Sequence, residues 1–169
     1  MIKFEKVSKE EFVKAYKSTF GDEVSINDIE EMYDEIQLPQ RATQGSAGYD
    51  IKTPISFLLE EPNADILIPT GIRAIMPSNT CLIILPRSGL GFKHYLRLAN
   101  TVALIDADYS DSDNEGHIFI KVRLENHLKQ RLYVKAGERI AQGVFMPYFI
   151  TDDDISVGSR NGGMGSTGA

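Results

Sequence analysis

The sequence has no apolar run approaching the roughly 18 residues needed to span a bilayer. Its first residues, MIKFEKVSKEEF, contain no hydrophobic stretch of the kind a secretory leader carries. No membrane role is therefore expected. There is a single cysteine, Cys81, so an internal disulfide is excluded. It lies in the apolar run CLIILP, with no cation or histidine close in sequence, and reads as an inert buried thiol. The expected compartment is a reducing cytoplasm. Phosphate-loop, HExxH and CxxC motifs are all missing. The three histidines, His94, His117 and His127, show no metal-ligand spacing and receive no role. Positive charge is scarce as well. Lys and Arg number 18 against 24 Asp and Glu, for a net charge of −6 and no basic stripe. That balance argues against direct nucleic-acid binding. A small phosphorylated substrate stays compatible, provided local arginines and a metal ion offset its charge.

What is present suffices for one domain with a real core: 169 residues, 42% apolar and 25% charged. The sequence changes character near Leu38-Pro39. Before that point two short helices are predicted. Ser8 and Glu11 have capping-box spacing, and Phe12, Ala15, Tyr16, Thr19 and Phe20 recur at helical period. Ser25 can cap a second helix in which Ile26, Ile29, Met32, Tyr33 and Ile36 share one face. Its other face carries Asp28, Glu30, Glu31, Asp34 and Glu35, and reads as a solvated surface or as a docking surface.

After Pro39 the clearest predicted strands are 65–69, 71–76, 81–85, 117–124, 131–134 and 139–149, separated by Gly, Pro, Asn and Asp. Many short strands at this spacing point to an all-β sandwich or jelly roll. The glycine- and serine-rich tail cannot bury enough apolar surface to order itself. It reads as a disordered tail or as a flap that orders on a ligand. The expected division is 1–37, a helical extension; 38–155, a β domain; and 156–169, the tail. Asp111 to Gly116 partly resembles the start of an EF-hand loop. Position 12 would be Val122 where a bidentate Glu is needed, so a solvated acidic loop is expected.

Five segments combine glycine with ion-handling side chains. They are SAGYD (46–50), PRSGLG (86–91), NTVALIDADY (100–109), GERIAQ (137–142) and RNGGMGSTG (160–168). Each alone has a plain explanation as a turn, hairpin, strand end or flexible tail. Together and in this order they resemble the five motifs of the homotrimeric dUTPase family, from about Leu38 to Ala169. The N-terminal helices lie outside the resemblance and look like the extensions of some phage-encoded members. A phage origin would make the compartment a bacterial host's cytoplasm. The resemblance implies a dUTPase-like β jelly roll that trimerises around a threefold axis. Active sites would be shared between chains, with the flexible C-terminal flap reaching a neighbour's site. It also implies Mg2+-dependent hydrolysis of dUTP to dUMP and pyrophosphate, which limits uracil incorporation into DNA and supplies dUMP for dTMP synthesis.

Residue by residue, the resemblance makes Asp106 the group that orients the attacking water and takes its proton, a task an ionised carboxylate suits. Arg87 and Ser88 would grip the phosphate chain, while Gly89 lets backbone N–H groups approach it. Gln142 would contact the phosphates or their waters. Asp50 would touch Mg2+ only through water, the ion being held mainly by the three phosphates. Uracil would be read by hairpin backbone groups of 93–105, Leu104 and Ile105 included, and by Asn100. Tyr109 would lie against the deoxyribose and leave no room for a 2′-hydroxyl. Glu138 and Arg139 read as a structural, interface ion pair. In the tail, Arg160, Ser166 and Thr167 are the expected γ-phosphate contacts, with Gly165 also at the substrate and Met164 over the base.

Two features depart from the family pattern. Motif three usually closes as Tyr-x-Gly, whereas six residues, 110–115, separate Tyr109 from Gly116 here. This acidic insertion either displaces a strand start or forms a protein-docking loop beside the active site. Met164 stands where an aromatic usually stacks on uracil. Stacking is worth ~1–3 kcal/mol, against ~0.3–1.5 for a sulfur–aromatic contact, so looser tail closure is expected. Two rival readings accompany the hydrolase. A dCTP deaminase would share the fold and release ammonia, but PRSGLG, IDADY and the tail favour the hydrolase. A nucleotide-gated regulator would bind a protein such as a repressor through the insertion or the N-terminal helices.

Overall fold

A computed structural model describes residues 1–61, 63–125, 131–156 and 158. The elements run β1 (Lys3–Lys6), α1 (Lys9–Phe20), α2 (Ile26–Asp34), β2 (Gln40–Arg41), β3 (Tyr49–Lys52), β4 (Phe57–Leu59), β5 (Asp65–Pro69) and β6 (Ile72–Ile75). Then come β7 (Thr80–Pro86), α3 (Ser88–His94), β8 (Leu96–Leu98), β9 (Ala103–Ile105), a 3-10 helix (Ala107–Asp111), β10 (Phe119–Leu124), β11 (Leu132–Val134) and β12 (Arg139–Pro147). The strands form sheets in the orders β2-β3-β12-β7-β9, β5-β10-β8, β1-β6 and β11-β4. Period-two burial drives this arrangement: in β10, Ile120, Val122 and Leu124 are buried while Lys121 and Arg123 face water. Side chains from all four sheets meet in one core cluster, among them Ile51, Ile68, Ala74, Leu82, Leu98, Val122, Val134 and Ile140. The expected all-β jelly roll is the fold. No helix among the described residues is long and apolar enough to cross a membrane.

The first 37 residues join that core. β1, which the sequence pattern does not announce, pairs antiparallel with β6. Ser8 caps α1, accepting from the Glu11 N–H at 3.1 Å. The reciprocal half of the predicted capping box comes from elsewhere: the Ser8 N–H donates to Glu115 Oε2 at 2.7 Å, and Ser8 Oγ donates to Glu115 Oε1 at 2.6 Å. Phe12 and Ile29 are fully buried, each removal from water stabilising the fold by about 1.5–3 kcal/mol. Ile26 is a correction, being 49% exposed, because the first turn of α2 stands clear of the core. Cys81 is buried as expected, its Sγ–H donating to the Met146 carbonyl.

His117 fastens α1 to the β core. It is fully buried, and the Gly71 N–H donates to its Nε2 at 2.9 Å. The ring proton therefore sits on Nδ1, which faces Glu11 Oε1 at 3.3 Å. Burial pushes the His117 pKa down from 6.5 to about 4, against the attraction of Glu115. Burial also pushes the Glu11 carboxyl up. A depressed histidine means that the unfolded chain binds the extra proton first. The His117 contribution is thus fully present above pH 6.5 and is lost as pH falls through about 4, by up to about 3 kcal/mol. The raised Glu11 opposes this trend below its own folded pKa. Denaturant melts from pH 7 to pH 4 at fixed protein concentration should show stability falling with pH. His117→Gln should flatten that slope, and parallel profiles for the two proteins would refute the assignment.

Candidate active site

Strand register builds the site. In the pairing of β12 with β3, Gln142 stands opposite Asp50; in the pairing of β12 with β7, Ala141 stands opposite Pro86. The ends of three adjacent strands therefore deliver Asp50, Arg87, Arg139 and Gln142 to one place. Arg87 Nε lies 2.9 Å from Asp50 Oδ1, and Arg139 Nη1 donates to Asp50 Oδ2 at 3.1 Å. Gln142 Nε2 donates to the Pro86 carbonyl at 3.2 Å. A Cβ at Gly48 would stand 2.6 Å from Gln142 Oε1, so any larger residue there would push the Gln142 amide from this position. Arg139 is a partner of Asp50 within the chain.

Two cavities open beside this cluster. One, of about 640 Å³, is lined by Arg41, Lys52, Arg87, Lys93 and Arg139 with Asp50 and Glu138. Five cations against two carboxylates make it a basic cleft on an acidic chain, suited to a polyanion. The other, of about 620 Å³, shares Arg87 and adds Ser88, Gln142, Tyr95, Ala99 and Thr101. Ser88 and Gly89 open α3 and are exposed. The first N–H groups of a helix lack intrahelical partners and are available to an anion. The PRSGLG segment thus supplies a helix start, where the sequence suggests only a turn.

Segment 93–105 does not form a paired hairpin among the described residues. β8 pairs with β10, and β9 with β7, so the two arms of the 99–102 turn belong to different sheets. Asn100 is exposed at this turn and lines a third cavity, of about 450 Å³, with Ala99 and Ala103. Leu104 is exposed and Ile105 half-buried.

Asp106 and Tyr109 stand apart from the Asp50 cluster. Ile105 pairs with Leu82, five residues before Arg87 along β7. At ~3.4 Å per residue the backbones of Asp106 and Arg87 are roughly 17 Å apart or more. Asp106 precedes the 3-10 helix, and Tyr109 within it is 5% exposed. The Tyr109 hydroxyl donates to the His117 carbonyl at 2.8 Å and accepts from Asn114 Nδ2 at 3.0 Å. The insertion is not the expected solvated loop: Ser112 is buried, and only Asp111 and Asp113 of 110–115 are exposed. Arg160, Met164, Gly165, Ser166 and Thr167 lie outside the described residues.

Among the described residues, no group of three or more His, Cys, Asp or Glu could hold a metal ion. Asp50 Oδ2 accepts from Arg139 and Oδ1 is ion-paired with Arg87, and a carboxylate offers about four acceptor positions in all, so the group can still take water. That donor set fits contact with a hydrated cation through water and does not fit a direct protein cage.

Comparison with known proteins places this chain in a family. The dUTPase family model matches residues 34–168. The deoxyuridine 5′-triphosphate nucleotidohydrolase of Lactococcus lactis subsp. lactis (strain IL1403) is 42% identical over 139 residues, covering 79% of this chain and 89% of the relative. The crystal structure of dUTPase from Streptococcus mutans is 40% identical, with a TM-score of 0.63 over 70% of this chain and 91% of that one. The dUTPase of Staphylococcus bacteriophage 80α with dUPNHPP shares the fold at 21% identity, with a TM-score of 0.63 over 100% of this chain and 99% of that one.

Proposed function

Because the chain belongs to the dUTPase family and is a dUTP diphosphatase, we propose that it hydrolyses dUTP with magnesium, by in-line attack of water on the α-phosphorus. The observation that carries this reading is the Asp50–Arg87–Arg139 ion-pair cluster lining a basic cleft, with Gln142 and Arg87 lining the adjoining cavity. Arg87 presents a rigid donor fork to the phosphate chain, and the start of α3 adds backbone donors at Ser88 and Gly89. Gln142, fixed by the Pro86 carbonyl, faces the same phosphates. When bound, Mg2+ supplies charge neutralisation on the phosphate oxygens. Asp50 would hold that ion through its waters.

Asp106 orients the water and accepts its proton as the new phosphorus–oxygen bond forms. The bond to the β-phosphate oxygen breaks, and pyrophosphate leaves with its electron pair. The separation of Asp106 from Arg87 supports a site completed by Asp106 of another chain, and hence a homotrimer. The tail residues Arg160, Met164, Gly165, Ser166 and Thr167 close over the nucleotide in this reading. Asn100 and the backbone of Leu104 and Ile105 contact uracil.

The test is product analysis of dUTP, dCTP, dTTP and UTP, with magnesium and after chelation. Pyrophosphate from dUTP alone, abolished by chelation, is expected. Ammonia from dCTP, or turnover unaffected by chelation, would overturn the reading. A second role as a nucleotide-gated, protein-binding regulator rests on exposed acidic groups at Asp28, Glu31, Asp34, Asp111 and Asp113. It would appear as a protein partner released by dUTP, and a nucleotide-insensitive partner would exclude the gating.

A further inference from the structure

Glu115 ends the insertion in an unusual conformation. Its φ is +59° and that of Gly116 is +74°, two successive left-handed residues. A non-glycine residue adopts this region at a cost that its surroundings must offset. The offset is visible. The Glu115 carboxylate takes both the N–H and the hydroxyl of Ser8, the residue that caps α1. Its carbonyl accepts from Arg73 Nη1 at 3.2 Å, and Arg73 is itself paired with Glu5 of β1. A Cβ at Gly116 would stand 2.7 Å from Ser110 Cα, so the chain passes this close only as glycine.

On the inner side, the same turn is tied to Tyr109. Ser112 Oγ donates to the Tyr109 carbonyl at 2.6 Å, and Asn114 Nδ2 to its hydroxyl. The Tyr109 hydroxyl donates to the carbonyl of His117, whose ring faces Glu11 of α1. A continuous set of contacts therefore links the N-terminal extension to the 3-10 helix that follows Asp106.

We propose that Glu115, gripping the capped end of α1, is a positioning residue for the Tyr109 wall and the adjoining Asp106. This rests on the sugar-facing and proton-accepting roles given to Tyr109 and Asp106 above. The N-terminal extension, outside the family match, then tunes sugar selection from a distance. The insertion is the strut through which it does so.

The experiment compares kcat/KM for dUTP and UTP on one preparation of each variant. That ratio is independent of the fraction of folded enzyme, so a merely structural role would not move it. Glu115→Ala and Ser8→Ala should each lower the dUTP preference by roughly 3- to 30-fold, while Ser8→Thr, which keeps the capping hydroxyl, should retain it. Tyr109→Ala serves as the control. If Tyr109→Ala relaxes the ratio while Glu115→Ala and Ser8→Ala leave it at the parent value, this inference fails and the role of Tyr109 stands. If Tyr109→Ala also leaves it unmoved, both fail.

Discussion

Asp106→Asn is expected to lower the turnover of dUTP by at least ~10²–10⁴-fold, the range a positioned general base contributes. The amide has the shape of the carboxylate but cannot take a proton from water at neutral pH. Asp106 sits where β9 ends and the 3-10 helix begins, half-buried, so the replacement fits the same backbone. Steady-state kinetics with a parallel measurement of dUTP binding checks the point. Binding within a few-fold of the parent, with kcat collapsed, is the expected pair of results. Unreduced turnover would remove Asp106 from the mechanism.

Tyr109→Ala is expected to open the site to UTP. An apolar wall that rejects one added hydroxyl supplies on the order of 10²-fold discrimination, and loss of that much dUTP preference is expected. The substitution also has a structural cost. Tyr109 is buried, and removing a large aromatic from a core typically costs about 3–5 kcal/mol. It would leave the His117 carbonyl and Asn114 amide without their phenol partner. Tyr109→Leu retains more of the packing while shortening the wall. The substrate ratio is read for both variants after their melting temperatures show a folded state. A UTP-to-dUTP ratio equal to that of the parent in both would end the sugar-wall role.

How much of this was legible in the sequence differs by element. α1 and α2 announce themselves through Ser8 and Ser25 and through apolar residues at helical spacing, because those signals act within a few residues. β10 does so by alternation. β1 does not: KFEK is a short edge strand whose identity comes from pairing with β6, some seventy residues away. α3 is also hidden, since SGLGFKH has two glycines with poor helix propensity and only seven residues. Motif order pointed to Asp50, Arg87 and Gln142, and their meeting follows from register. The attachment of Arg139 to Asp50 and of Glu115 to Ser8 depends on tertiary contact between distant residues, which periodicity cannot report. His117 shows the same limit. It resembles any strand-end histidine until Gly71 and Glu11 close around it.

The match to the family begins at residue 34, yet Phe12 and Ile29 are buried in the same apolar interior as Leu82 and Val134. The unit matched by the family model and the unit that folds therefore have different borders here. The β scaffold holds the segment that precedes the match within its own interior. Substitutions at Phe12 or Ile29 are consequently expected to loosen the core of the matched unit without touching any motif by which the family is recognised.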